Sequence, residues 1–109
     1  MTAAPTRVAA YVPDLMDRSK VAAVAGDRVA FARTPGDLAG IDADLVVVDL
    51  SRPGVLDALA RLEGRRVVGF GSHVDTELLD AARTAGCEVL PRSKFFARLD
   101  ELLGQEPSR

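Results

Sequence analysis

Short apolar runs rich in β-branched residues alternate along this chain with stretches of helical periodicity. Repeated β-α units produce that alternation, because successive parallel strands must be joined by crossovers that are usually helical. Five strands are predicted, over residues 7–12, 28–32, 44–49, 66–71 and 87–91. The third carries Leu45, Val46, Val47 and Val48 without a polar interruption. Such a run suits a strand covered on both faces, and so places it mid-sheet.

Between the strands, Leu56, Leu59 and Leu62 are expected on one helix face, Leu78, Ala82 and Ala85 on a second, and Phe95, Leu99, Leu102 and Leu103 on a third. Helix starts are predicted at Ser72, with Asp75 three residues on, at Ser93 before Phe95, and around Pro53. Gly26, Gly64, Gly86 and Gly104 punctuate the helix ends. Residues 33–42 contain two glycines and a proline, so the second helix should be short or irregular.

Right-handed crossovers on a doubly wound sheet give a three-layer α/β fold. Its predicted strand order is 2-1-3-4-5, the flavodoxin-like arrangement. In that order the chain reverses between the first and third strands, and ligands are expected at their carboxyl ends. The residues there are Pro13 and Asp14, Asp49 and Ser51, Gly71 and Ser72, and Pro91 and Arg92.

Composition narrows the picture. A chain of 109 residues fits one domain, with a core over about 7–103 and no effector domain. Apolar residues at 48% and charged residues at 28% permit a packed core beneath a solvated surface. Fourteen basic and sixteen acidic residues are scattered without a basic stripe, which argues against nucleic acid as a partner. Only Lys20 and Lys94 among the basic residues are lysines, a bias that fits GC-rich bacterial coding. The single cysteine, Cys87, excludes an internal disulfide and reads as a small buried hydrophobe. No apolar run approaches the ~20 residues that span a bilayer, and no leader pattern opens the chain, so no membrane and a cytoplasmic location are expected.

The run Asp44-Leu-Val-Val-Val-Asp49-Leu-Ser-Arg-Pro53-Gly54 resembles the strand of response-regulator receiver domains that ends in their phosphoacceptor aspartate. Val12-Pro13-Asp14 lies where receivers carry an acidic pair, and residues 85–93 are similar in layout to their Ala-Gly-Ala, aromatic, Leu, Lys-Ser stretch. The resemblance covers about residues 7–103. It implies Asp49 as an acceptor-like carboxylate, with Asp14, Asp49 and the Ser51 carbonyl around a magnesium ion. The chemistry is coherent, since a second carboxylate is needed to hold the hard cation that neutralises a transferring phosphoryl group.

The departures fall in the same crevice. Pro13 replaces one acid, Gly71 stands where receivers have Thr or Ser, with Ser72 one position late, and Val89 replaces their aromatic switch residue. Arg92 takes the place of their lysine, while Lys94 lies two residues beyond. Arginine keeps the charge but not the geometry, and a permanent Arg92–Asp49 clamp is expected.

The leading reading is a non-enzymatic pseudo-receiver that needs no cofactor. The resemblance implies that it contacts another protein, or a second copy of itself, through Arg83, Arg92, Lys94, Phe95, Phe96 and Arg98. The competitors are an active, magnesium-dependent phosphoacceptor at Asp49 and a small-molecule-binding flavodoxin-like domain. His73 reads as an exposed loop residue. The Gly69-Phe70-Gly71-Ser72 run lacks the lysine of a P-loop and the third glycine of a dinucleotide fingerprint.

Overall fold

The uninterrupted apolar run does form the central strand. The computed structural model describes residues 6–72 and 74–103. Within them, β1 (Val8–Tyr11), β2 (Val29–Phe31), β3 (Leu45–Asp49), β4 (Arg66–Gly71) and β5 (Glu88–Pro91) build one parallel sheet in the order β2-β1-β3-β4-β5. The order and the parallel sense are those expected from the sequence. The register aligns Tyr11 with Val48 and Asp49 with Phe70, which brings the ends of β1, β3 and β4 to one edge.

Strand pleating sorts the core into two layers. Val8, Ala10, Leu45, Val47, Val68 and Phe70 face α1 (Leu15–Ala25), α4 (Arg92–Ala97) and α5 (Leu99–Leu102). Ala9, Val46, Val48 and Val67 face the opposite side, against α2 (Val55–Leu59), α3 (Thr76–Thr84) and Leu38. Asp49 shares the parity of Leu45 and Val47, which directs its carboxylate toward the α1 and α4 layer.

The predicted irregular second helix is a 3-10 turn over Pro35–Gly40. Arg65 holds it in place, donating from Nη1 to the carbonyls of Leu38 (3.2 Å) and Ile41 (2.8 Å), and from Nη2 to that of Ala39 (3.2 Å). Arg28 does similar work at the amino edge, bonding the carbonyls of Leu103, Val24 and Thr6.

Several helix details differ from expectation. The inward residues of α2 are Val55, Ala58 and Leu59, and Leu56 is exposed. Gly54, not Pro53, precedes the first helical residue, while Leu59 and Leu62 are buried as expected. In α3, which begins after Asp75 and not at Ser72, the inward residues are Leu79 and Ala82, while Ala85 is exposed because the helix ends at Thr84 and Ala85 is its C-cap. The last helix starts at Arg92, ahead of Ser93, and breaks at Arg98 (φ −108°, ψ 18°). Phe95, Leu99 and Leu103 still face inward, with Leu102 partly buried. Gly26 (φ 55°) closes α1 and Gly86 (φ 95°) follows α3, both in backbone regions that a side chain would strain. Gly104 lies outside the described residues.

Candidate functional site

Asp49 ends β3 at the carboxyl edge, only 5% exposed. Its Oδ1 accepts hydrogen bonds from the Ser51 backbone N–H (3.0 Å) and from the Ser51 hydroxyl (2.6 Å). Its Oδ2 accepts a longer one from Arg52 Nε (3.5 Å). The loop that follows the strand thus folds back on the carboxylate. Ser51 engages it through its N–H and its side chain, not through the carbonyl that metal ligation would use.

Asp14 occupies the N-cap position of α1, with extended backbone (φ −67°, ψ 128°). Its carbonyl accepts the Arg18 N–H at 2.8 Å, as the first helical bond requires. Its half-buried carboxylate makes no capping hydrogen bond.

The expected Arg92–Asp49 clamp is replaced by another pair. The Arg92 guanidinium forms a two-pronged ion pair with Asp17, Nη1 to Oδ2 at 2.7 Å and Nη2 to Oδ1. Asp17 is 1% exposed and lies on the inward face of α1 with Val21 and Ala25. A carboxylate buried there needs a cation, whereas the Asp49 oxygens are already engaged locally. The hydrogen bonding that Arg92 donates to Asp17 raises the Arg92 pKa above its usual value, partial burial opposes this, and the fields of Asp17, Asp49 and Asp14 add to the rise. All three aspartates therefore act on one guanidinium through their fields, and Asp17 alone bonds it.

Aromatic rings back this arrangement. The guanidinium of Arg92 lies 5.1 Å from the Phe96 ring centroid, and Lys20 Nζ sits 5.0 Å from the same ring. Phe96 in turn packs edge-on against Phe70 and Phe95 at centroid separations of 5.2 and 4.9 Å.

The remaining candidates are distributed around the same edge. Gly71 is buried at the end of β4, and a Cβ added there would meet Leu79 Cδ2 at 3.2 Å. The space where a receiver carries its hydroxyl residue is narrowed by Leu79. Ser72 is exposed, and its hydroxyl accepts the Val74 N–H at 3.4 Å within its own loop. Lys94 is exposed on α4, and helical spacing turns it away from Arg92. Phe95 is fully buried. Arg98 pairs with Glu101, and Arg83 with Asp80 on α3, which belongs to the opposite layer. His73 lies outside the described residues.

Among the described residues no group of three or more His, Cys, Asp or Glu side chains is placed to hold a metal ion. A groove of about 420 Å³ opens beside the site, lined by residues 50–54 with Leu56, Asp57 and Leu78. The glycines of the Gly69–Ser72 run serve packing: a Cβ on Gly69 would come within 2.8 Å of Leu50 Cγ and 2.9 Å of Cys87 Sγ. Burial pushes the Cys87 thiol up to about 11, with the field of Glu88 adding to it and the Gly69 backbone opposing. No described helix is long and apolar enough to cross a membrane.

Sequence reasoning missed Asp17 as the partner of Arg92. The available signal was an acid on the apolar i, i+4, i+8 stripe of α1, ahead of Val21 and Ala25.

No protein-family model matches the chain, and no curated protein matches it. Among solved structures it is similar to a response regulator from Hahella chejuensis, with a TM-score of 0.74 and 14% sequence identity, covering 90% of this chain and 92% of that one. The chain has the receiver-like fold, a five-stranded parallel sheet in the order 2-1-3-4-5 flanked by helices.

Proposed function

We propose that this chain is a cytoplasmic, receiver-like regulatory module that acts by binding another protein, without catalysing a reaction and without a conventional phosphorylation switch at Asp49. The observation that carries the reading is the Arg92–Asp17 pair. The cation that would meet a phosphoryl group on Asp49 is instead anchored to a buried carboxylate. Withdrawing it would leave Asp17 charged and unpaired in the interior, a state that costs several kcal/mol. Gly71 adds no hydroxyl to compensate.

The donor set does not suit magnesium. That ion demands near-octahedral oxygen ligation, whereas the Asp49 oxygens are bonded to Ser51 and Arg52, and Pro13 has no side-chain donor. The partner-binding face on this reading lies along α4, β5 and α3, where Lys94, Arg98, Arg83 and the half-buried Phe96 remain at the surface. A second copy of the chain is a candidate partner there. Phe95 drops out as an anchor because it is core, and Arg92 contributes only the part of its side chain left outside the pair with Asp17.

The test is titration of the isotope-labelled chain with beryllofluoride and magnesium. The module reading expects no site-specific shifts at Asp14, Asp49 or Ser72. Specific, saturable shifts at those residues would favour the active phosphoacceptor.

A further inference from the structure

At the amino edge of the sheet, opposite Asp49, two helix-to-strand turns lie side by side. The 3-10 turn Ala60–Leu62 leads through Gly64 (φ 90°) into β4, and α3 leads through Gly86 (φ 95°) into the neighbouring β5. Both glycines hold a positive φ that a side chain would strain, and a Cβ added to either would meet nothing within 4 Å. The turns are therefore tight and uncovered. Between them opens a cavity of about 240 Å³ whose floor is the buried, apolar set Leu59, Leu62, Val67 and Cys87. A second hollow of about 270 Å³ shares Leu59, Glu63, Thr84 and Ala85 with it.

The groups at the mouth select the charge of an occupant. Arg65 is the one cation among the lining residues, and its guanidinium is taken up by the carbonyls of Leu38, Ala39 and Ile41. Arg83, the residue before Thr84, is paired with Asp80. The exposed Glu63 carboxylate, in contrast, pairs with no arginine or lysine among the described residues. α3 ends at Thr84 beside the same mouth, and the end of a helix carries roughly half an elementary negative charge. The Cys87 thiol is neutral, since burial pushes it up to about 11, and it donates to the Glu88 carbonyl at 3.4 Å. An anion is repelled at such a mouth, and a neutral molecule leaves its negative potential unanswered.

We infer that this cavity binds a small apolar molecule carrying one primary ammonium group, the hydrocarbon part resting on Leu59, Leu62, Val67 and Cys87 and the ammonium meeting Glu63 and the end of α3. The volume lies below the roughly 300–1,000 Å³ of pockets for drug-sized ligands, which limits the occupant to a few heavy atoms. Removing its hydrocarbon from water supplies affinity, and the complementary charge supplies selectivity. The site goes beyond the module reading. It gives the chain a small-molecule input at the edge away from Asp49, against the helix that carries Arg83.

The test is titration of the isotope-labelled full chain, without magnesium or a phosphodonor, with hexylammonium, hexanol and hexanoate. Hexylammonium is expected to shift the amide signals of residues 62–65 and 84–87 saturably. Hexanol should bind about tenfold more weakly, the factor that ~1.4 kcal/mol represents, and hexanoate more weakly still. Glu63→Gln should bring hexylammonium down to the level of hexanol. Ala85→Leu, at an exposed position that lines both hollows, should abolish binding of all three with the fold retained. Equal binding of the three molecules, a Glu63→Gln change without effect, binding that survives Ala85→Leu, or shifts confined to residues 50–57 would overturn the inference. So would the lack of any saturable shift below about 10 mM, the weak end of fragment affinity. None of these outcomes depends on the beryllofluoride result, so the cavity and the module reading stand or fall separately.

Discussion

The two layers that sandwich the sheet are built differently. On the α1, α4 and α5 side, Phe70, Phe95 and Phe96 form a ring cluster with Phe70 and Phe95 stacked at 4.6 Å, closed over by the Arg92–Asp17 pair. On the α2 and α3 side the cluster is of Leu, Val, Ala and Cys87, beneath short helices and a 3-10 turn. The first layer concentrates its stability in a few large groups and one ion pair whose carboxylate is buried while its arginine stays half exposed. The second spreads it over many small contacts, with the single side chain of Arg65 bonding carbonyls that a longer helix would have satisfied by itself.

That contrast predicts how each side fails. Phe70→Ala removes the central ring of the aromatic cluster and should cost about 4 kcal/mol, read from the urea midpoint at constant m-value. Arg92→Met should cost about 3 kcal/mol, because it leaves Asp17 buried and unpaired. The double change Arg92→Met with Asp17→Leu should recover a large part of that loss, and failure to recover would mean that the pair is not the source. Arg65→Ala, on the other side, should cost about 1–2 kcal/mol and raise hydrogen exchange selectively in residues 35–41, since the backbone carbonyls it bonds lose their partner.

The smallest effect is alkaline. The Cys87 thiol ionises near 9.0 when free of the fold and near 11 within it, chiefly because burial disfavours the thiolate. Between these values the unfolded chain has released its proton and the folded chain has not. Stability contributed by Cys87 is thus complete below pH 9.0 and falls as pH rises toward 11. In Cys87→Ala that part of the alkaline decline should vanish, which a denaturation series across this range would detect.

The sheet was legible because its signals are local. The run from Leu45 to Val48 has one reading at that length, and every predicted strand lies within about a residue of its observed position. Helix faces were less legible at their ends: Leu59, Leu62 and Ala82 are buried as expected, but burial falls off at the start of α2 and past the end of α3. Leu56 and Ala85 went outward for that reason. In the candidate site, Asp14, Asp49 and Arg92 do share one edge, as the strand order implies. The partner of Arg92 was hidden because it depends on the distance between α1 and the start of α4, residues 75 positions apart. No spacing rule encodes that distance, and only the misplaced polarity of Asp17 on an apolar stripe hinted at it.

The close approach at Gly69 carries a consequence for how this chain can drift. Leu50 and Cys87 already fill the volume that a side chain at 69 would enter. The three positions therefore share a single fixed allotment of space, and enlargement at any one is tolerated only when another shrinks. Descendants of this sequence should inherit changes there as matched sets, so that the interior of the less regular layer varies in composition while its volume stays constant.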